Sequence, residues 1–152
     1  MSKLTTLTAI AALWLFSSCE DEIVKAPPVP EIGFVQSGAT VADNSEDYLF
    51  AEIRASAAVG AFDYPVFFEL SGTAAEDVDF SISHQPYEGA SGNMLYMATV
   101  AQGTSTAAVA LLPIDTTGPD RTIRIKLYPD QEGKRYTVDE ENSEYILTIR
   151  NN

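Results

Sequence analysis

The sequence predicts an all-β protein: a single antiparallel β-sandwich of immunoglobulin-like type with about seven strands. Three observations point to it. Short runs alternate apolar and polar residues with the two-residue period of a half-buried strand. Turn-forming residues separate those runs at fairly even spacing, at Ser37-Gly38, Asp43-Asn44, Ser71-Gly72, 89–93, Gln102-Gly103, Thr117-Gly118-Pro119 and Gln131-Glu132-Gly133. No stretch sustains a helical repeat.

Residues 32–35 form the first run. In the second, 48–55, Leu49, Ala51, Ile53 and Ala55 share one face, and Phe50, Glu52 and Arg54 the other. The third, 63–70, contains Pro65, which lacks a ladder N–H and is expected on an edge or near the strand start. Residues 94–100 form the fourth, and 104–114 the fifth, with Ala107, Val109 and Leu111 on one side. In 122–128, Ile123, Ile125 and Leu127 oppose Arg124 and Lys126, the clearest alternation in the chain. Residues 143–149 close the series.

The chain has 152 residues, 45 % of them hydrophobic and 20 % charged, a globular composition. Nine Lys and Arg face 22 Asp and Glu, a net charge of −13. Such a surface repels phosphate backbones, so a nucleic-acid partner is not expected. It suits divalent cations, and it also serves solubility alone.

The first 18 residues read as a secretory leader. Lys3 gives a basic start, residues 4–16 are mostly apolar, and Ser17 and Ser18 are the small residues a signal peptidase requires. The apolar run is too short to cross a bilayer. Cys19 is the only cysteine, so no intramolecular disulfide can form. The motif Leu15-Phe16-Ser17-Ser18-Cys19 resembles a bacterial lipobox. The resemblance implies that Cys19 is lipidated, cleavage falls before it, and the chain is held in a membrane by acyl chains. Lys3 leaves with the leader, so the mature chain keeps 8 basic residues against 22 acidic ones, a net charge of −14. Glu20-Asp21-Glu22 resembles the acidic export signal of lipoproteins of the Bacteroidetes type, which implies an outer-membrane protein on the cell surface. Pro27, Pro28 and Pro30 stiffen the stretch up to residue 30. The expected organisation is a leader over 1–18, an anchor and tether over 19–30, and a sandwich over 31–152.

The sequence GTAAEDVDF over 72–80 is similar to the Gly-Thr-Ala and Asp-aromatic motif of Calx-β domains. Asp77 stands where that family usually has Gly. The segments Gln102-Gly103-Thr104, 109–115, 120–127 and 145–149 follow in the family's order, so the resemblance covers residues 31–152. It implies an immunoglobulin-like sandwich used for adhesion or spacing and, in some members, a Ca²⁺ site at one end built from loop acids. The positions that carry over are Glu46, Asp79, Asp115 and Asp120, with Asp77 as an addition. On this resemblance they should converge at one end. Against Ca²⁺ stand Thr116 and Thr117, and the Arg150-Asn151-Asn152 terminus, where Ca²⁺-binding members carry acids. Ca²⁺ is the one cofactor the resemblance admits.

Enzyme motifs are absent. The single His, His84, lies in Ser83-His84-Gln85-Pro86, a loop with no nucleophile motif, and reads as a surface residue. The mature chain lacks a His and Cys set for zinc, and no phosphate loop occurs. Tyr87, in Pro86-Tyr87-Glu88-Gly89, is the best candidate for an exposed contact with a protein or glycan. The expectation is a non-enzymatic surface lipoprotein acting as an adhesion or interaction module. Its alternatives are a polysaccharide-binding accessory of a nutrient-uptake system and a Ca²⁺-binding domain.

Overall fold

The computed structural model describes residues 28–58, 60, 62–89, 92–114, 117–130 and 134–151. The leader, Cys19 and most of the tether lie outside these, as does Asp115. In chain order the strands are β1 Glu31–Phe34, β2 Gly38–Ala42, β3 Leu49–Ala55, β4 Tyr64–Gly72, β5 Phe80–Ile82, β6 Pro86–Glu88, β7 Met94–Val100, β8 Thr106–Pro113, β9 Arg121–Tyr128, β10 Thr137–Val138 and β11 Glu144–Arg150.

They form two sheets, one ordered β10-β1-β3-β8-β5 and the other β2-β11-β9-β4-β7-β6. All seven strands read from the sequence are present, with bounds shifted by a residue or two. The alternation holds: Ala51 and Ile53 are fully buried, whereas Phe50 is 63 % exposed. Ile123, Ile125 and Leu127 face the core, and Arg124 and Lys126 face solvent. Pro65 is the second residue of β4. The described residues form eleven strands rather than seven, and the sheets are mixed. β1 pairs with β10, and β11 with β2, in parallel. The four added strands, β2, β5, β6 and β10, are the four sheet edges. An edge strand has one neighbour and no second face to bury, so it lacks a strong alternating signature.

Ser37-Gly38 reads as a turn in the sequence, yet Gly38 opens β2. A Cβ there would lie 2.2 Å from the carbonyl oxygen of Ile146 on the parallel partner, so only glycine admits this approach. At the end of β4, Gly72 has φ 125°, and a Cβ would meet the Thr122 oxygen at 2.2 Å. Gly72→Ala should therefore lower unfolding stability by about 1–3 kcal/mol in urea titrations. An unchanged midpoint would refute the close approach.

Strand polarity gives the sandwich two poles. The start of β3 lies beside the end of β8, because Leu49 pairs with Leu111. The start of β5 joins them through Phe80 and Pro113. β1 enters at the other pole: Ile32 pairs with Ala55, and the Glu31 carbonyl accepts from the Ser56 N–H.

Candidate functional site

The pole formed by the start of β3 and the end of β8 gathers most of the acids singled out in the sequence. Glu46, in the loop from β2 to β3, is exposed and lines a shallow open pocket with Asp43, Asn44, Ser45, Leu112 and Pro113. Asp43, read in the sequence as a turn residue, is buried, and its N–H donates to the Arg150 carbonyl at 2.9 Å. Asp79 immediately precedes β5 and is 6 % exposed. Its Oδ2 accepts from the Ala75 N–H at 2.7 Å, closing the 75–79 loop. Its Oδ1 lies 3.6 Å from Nε of Arg121, the first residue of β9. Asp120 is exposed, and its Oδ1 accepts from the Asn151 N–H at 3.2 Å, tying the start of β9 to the end of β11.

Asp77 has φ 61° and donates its N–H to the Phe80 carbonyl at 2.7 Å. Left-handed backbone suits the Gly of the family motif, and Asp is among the few other residues that tolerate it. The departure from the motif therefore keeps the turn.

Ca²⁺ takes about six to eight oxygens, several from carboxylates. The described residues do not fit that donor set. Asp79 is turned to Arg121 and a backbone N–H, and Asp120 to another N–H. Among the described residues no three His, Cys, Asp or Glu side chains are grouped to hold a metal.

A second place is aromatic. On the outer face of the larger sheet, Phe67 of β4 stands opposite Tyr128 of β9 and Met97 of β7. Tyr87 of β6 is opposite Leu95, and its ring lies 5.6 Å from that of Phe67. Phe67, Tyr87, Leu95 and Tyr128, together with Pro129, Asp130 and Arg135, line a groove of about 200 Å³. Tyr87 is 53 % exposed. The Tyr128 hydroxyl accepts from Asn93 Nδ2 at 3.1 Å. Asp130 Oδ2 accepts from the N–H groups of Lys134 and Arg135, at 2.9 and 3.1 Å, which shapes the rim. Tyr87 is exposed, as the sequence suggests, and the sequence does not single out Phe67, Tyr128, Asp130 or Arg135 beside it. The signal was there: Phe67 and Tyr128 are large residues on the outward positions of strands whose alternate residues fill the core.

Beneath the groove, Tyr136 is buried, and its hydroxyl donates to the Tyr128 carbonyl at 2.9 Å and accepts from the Phe67 N–H at 3.2 Å. It enters the ladder where β4 and β9 begin to part. Its ring stacks on Tyr64 at 5.9 Å. The Tyr64 hydroxyl is buried with no hydrogen-bond partner among the described residues. Removing it in Tyr64→Phe should leave stability unchanged or raise it by up to about 1 kcal/mol, read from the melting temperature. A clear loss would mean the hydroxyl is satisfied in solution.

Burial pushes Tyr136 up to about 12, and burial with the Glu76 carboxylate pushes Tyr96, which donates to Glu76, up to about 12. A phenol free in the unfolded chain ionises near 10.0. The raised folded values favour the neutral form, so their stabilisation is complete below pH ~10 and is lost as pH rises through ~12. Melting temperatures should hold to about pH 9.5 and fall steeply above it. A flat profile to pH ~12 would contradict the burial of these hydroxyls.

His84 is not the free surface residue the sequence suggests. Nδ1–H donates to the Met97 carbonyl at 2.9 Å, and Nε2 accepts from the Ala110 N–H at 3.2 Å. It thereby bridges β7 of one sheet to β8 of the other, edge-on to Phe68.

These elements define an immunoglobulin-like β-sandwich module with Glu46, Asp77, Asp79 and Asp120 at one pole and an aromatic groove on one outer face. Its particular form is the Calx-β fold. The chain is similar to the apo-form Calx CBD1 domain, with TM-score 0.59 and 16 % identity over 82 % of this chain and 99 % of that one. It is similar to the calcium binding domain CBD12 of CALX1.1, with TM-score 0.57 and 17 % identity, covering 80 % of this chain but 44 % of the other. The Calx CBD2 domain matches with TM-score 0.56 and 9 % identity, over 79 % of this chain and 85 % of that one. At such identities the likeness establishes the fold. No protein-family model and no curated protein matches the chain.

Proposed function

We propose that the chain is a lipid-anchored outer-membrane module on the cell surface that binds a partner and catalyses no reaction. The observation that carries this reading is the groove of Tyr87, Phe67 and Tyr128, which leaves aromatic rings on a sheet face away from the core. The only histidine supports a non-catalytic reading, since backbone groups hold both its ring nitrogens. The lipobox-like Leu15-Phe16-Ser17-Ser18-Cys19 and the Glu20-Asp21-Glu22 that follows support the anchor and the outward location.

Palmitate labelling of cells making the wild type and Cys19→Ser tests the anchor, and protease added to intact cells tests the location. For the binding role, cells displaying the chain should adhere to glycan-coated or protein-coated surfaces better than cells displaying Tyr87→Ala at equal surface levels. Equal adhesion of the two on every surface would refute the groove as the contact. The geometry also favours a polysaccharide-binding reading over a Ca²⁺-binding one, because the groove offers open aromatic faces while Asp79 is already engaged by Arg121.

A further inference from the structure

We infer that the groove between β6, β4 and β9 takes a single neutral sugar ring of a glycan, an assignment that rests on the binding reading above. A volume of about 200 Å³ falls below the few hundred Å³ typical of pockets that enclose a drug-sized ligand, so one ring is the natural fit. The walls suit a pyranose. Tyr87 and Phe67 meet at 5.6 Å with a tilt of 36°, and Tyr128 stands across from Phe67. The C–H face of a sugar packs on such rings as other apolar surface does.

The rim selects the charge of the occupant. Among the described residues it carries one carboxylate, Asp130, and one guanidinium, Arg135, together with the Tyr87 and Tyr128 hydroxyls. Opposite charges side by side cancel in net terms but supply a strong acceptor and a strong donor. Hydroxyl groups, which donate and accept at once, satisfy both. A uronate or sulfate would gain Arg135 but face Asp130 and a chain of net charge −13. A lysine-rich peptide would gain that field, but it would face Arg135 and has no ring to fill the aromatic walls.

The test uses the chain from Cys19 to Asn152 with Cys19→Ser; all eleven strands lie within it. Calorimetric titration with neutral gluco-, xylo- and manno-oligosaccharides is run beside a polyuronate and a lysine-rich peptide. At least one neutral oligosaccharide should bind, at least tenfold more weakly to Tyr87→Ala and to Arg135→Ala. Tyr48→Ala, an exposed tyrosine preceding β3 of the other sheet, should bind as the wild type does. Melting curves confirm that each variant is folded. Neutral sugars that fail to bind, or bind equally to Tyr87→Ala, overturn the inference. If the peptide binds instead and Tyr87→Ala abolishes it, the sugar assignment fails while the binding reading stands. If nothing binds and the adhesion comparison also shows no difference, both fail.

Discussion

Tyr136→Phe should lower unfolding stability by about 2–4 kcal/mol, and Tyr136→Ala by about 5 kcal/mol or more. The phenol is buried, and its hydroxyl serves two backbone groups at once, the Phe67 N–H and the Tyr128 carbonyl. The hydroxyl sits between these groups at the last pairing of β4 with β9, so its removal takes the side-chain partner from both. Each buried group left unpaired costs about 1–3 kcal/mol. Alanine adds the lost ring contact with Tyr64 and a cavity between the sheets. Since domains of this kind have only about 5–15 kcal/mol in hand, Tyr136→Ala is expected to be largely unfolded at 37 °C. Urea titration of both variants checks this. A Tyr136→Phe midpoint equal to that of the wild type would show that water replaces the hydroxyl.

Asp79→Ala should cost about 2–4 kcal/mol, less than the loss of one partner from a fully buried ion pair, because the Arg121 side chain is 30 % exposed. The loss has two parts: the Ala75 N–H loses its acceptor, and Arg121 loses the carboxylate 3.6 Å away. Arg121→Gln should cost less, because it leaves the Asp79–Ala75 bond in place. Where Asp79 already has a guanidinium beside it, millimolar Ca²⁺ should leave the wild-type melting temperature unchanged. A ligand that binds the folded state must raise that temperature. A Ca²⁺-dependent rise of several degrees would refute this account of the acidic pole and restore the Ca²⁺-binding alternative.

The legible part of this fold follows from burial. Strands such as β3, β8 and β9 lie inside their sheets, with one face to the core and one to solvent, and that asymmetry writes itself as alternation. β6 has all three residues exposed, and β2 none fully buried, so nothing in their composition separates them from loops. The acidic pole was partly legible because 72–80 is a local motif whose turn geometry is set by neighbouring residues. The part played by Arg121 was not, because it arises from pairing across 42 positions of sequence. The groove was legible only at Tyr87. Phe67, Tyr128 and Arg135 meet through strand register and a loop, and no spacing in the sequence encodes that meeting.

The direction in which β1 enters has a mechanical meaning. Residues 28–30 precede β1 at the pole opposite Glu46, Asp79 and Asp120, where the Pro30 carbonyl accepts from the Thr137 N–H. Hydrogen bonds between antiparallel strands run across the strand axis. Tension drawn from the N-terminal side would therefore load the bonds from β1 to β3 together, in shear, with the β10 pairing beside them, and would not open them one after another. If the domain is tethered by its N-terminus and loaded through its outer face, as proposed, the first strand acts as a clamp that shares the load.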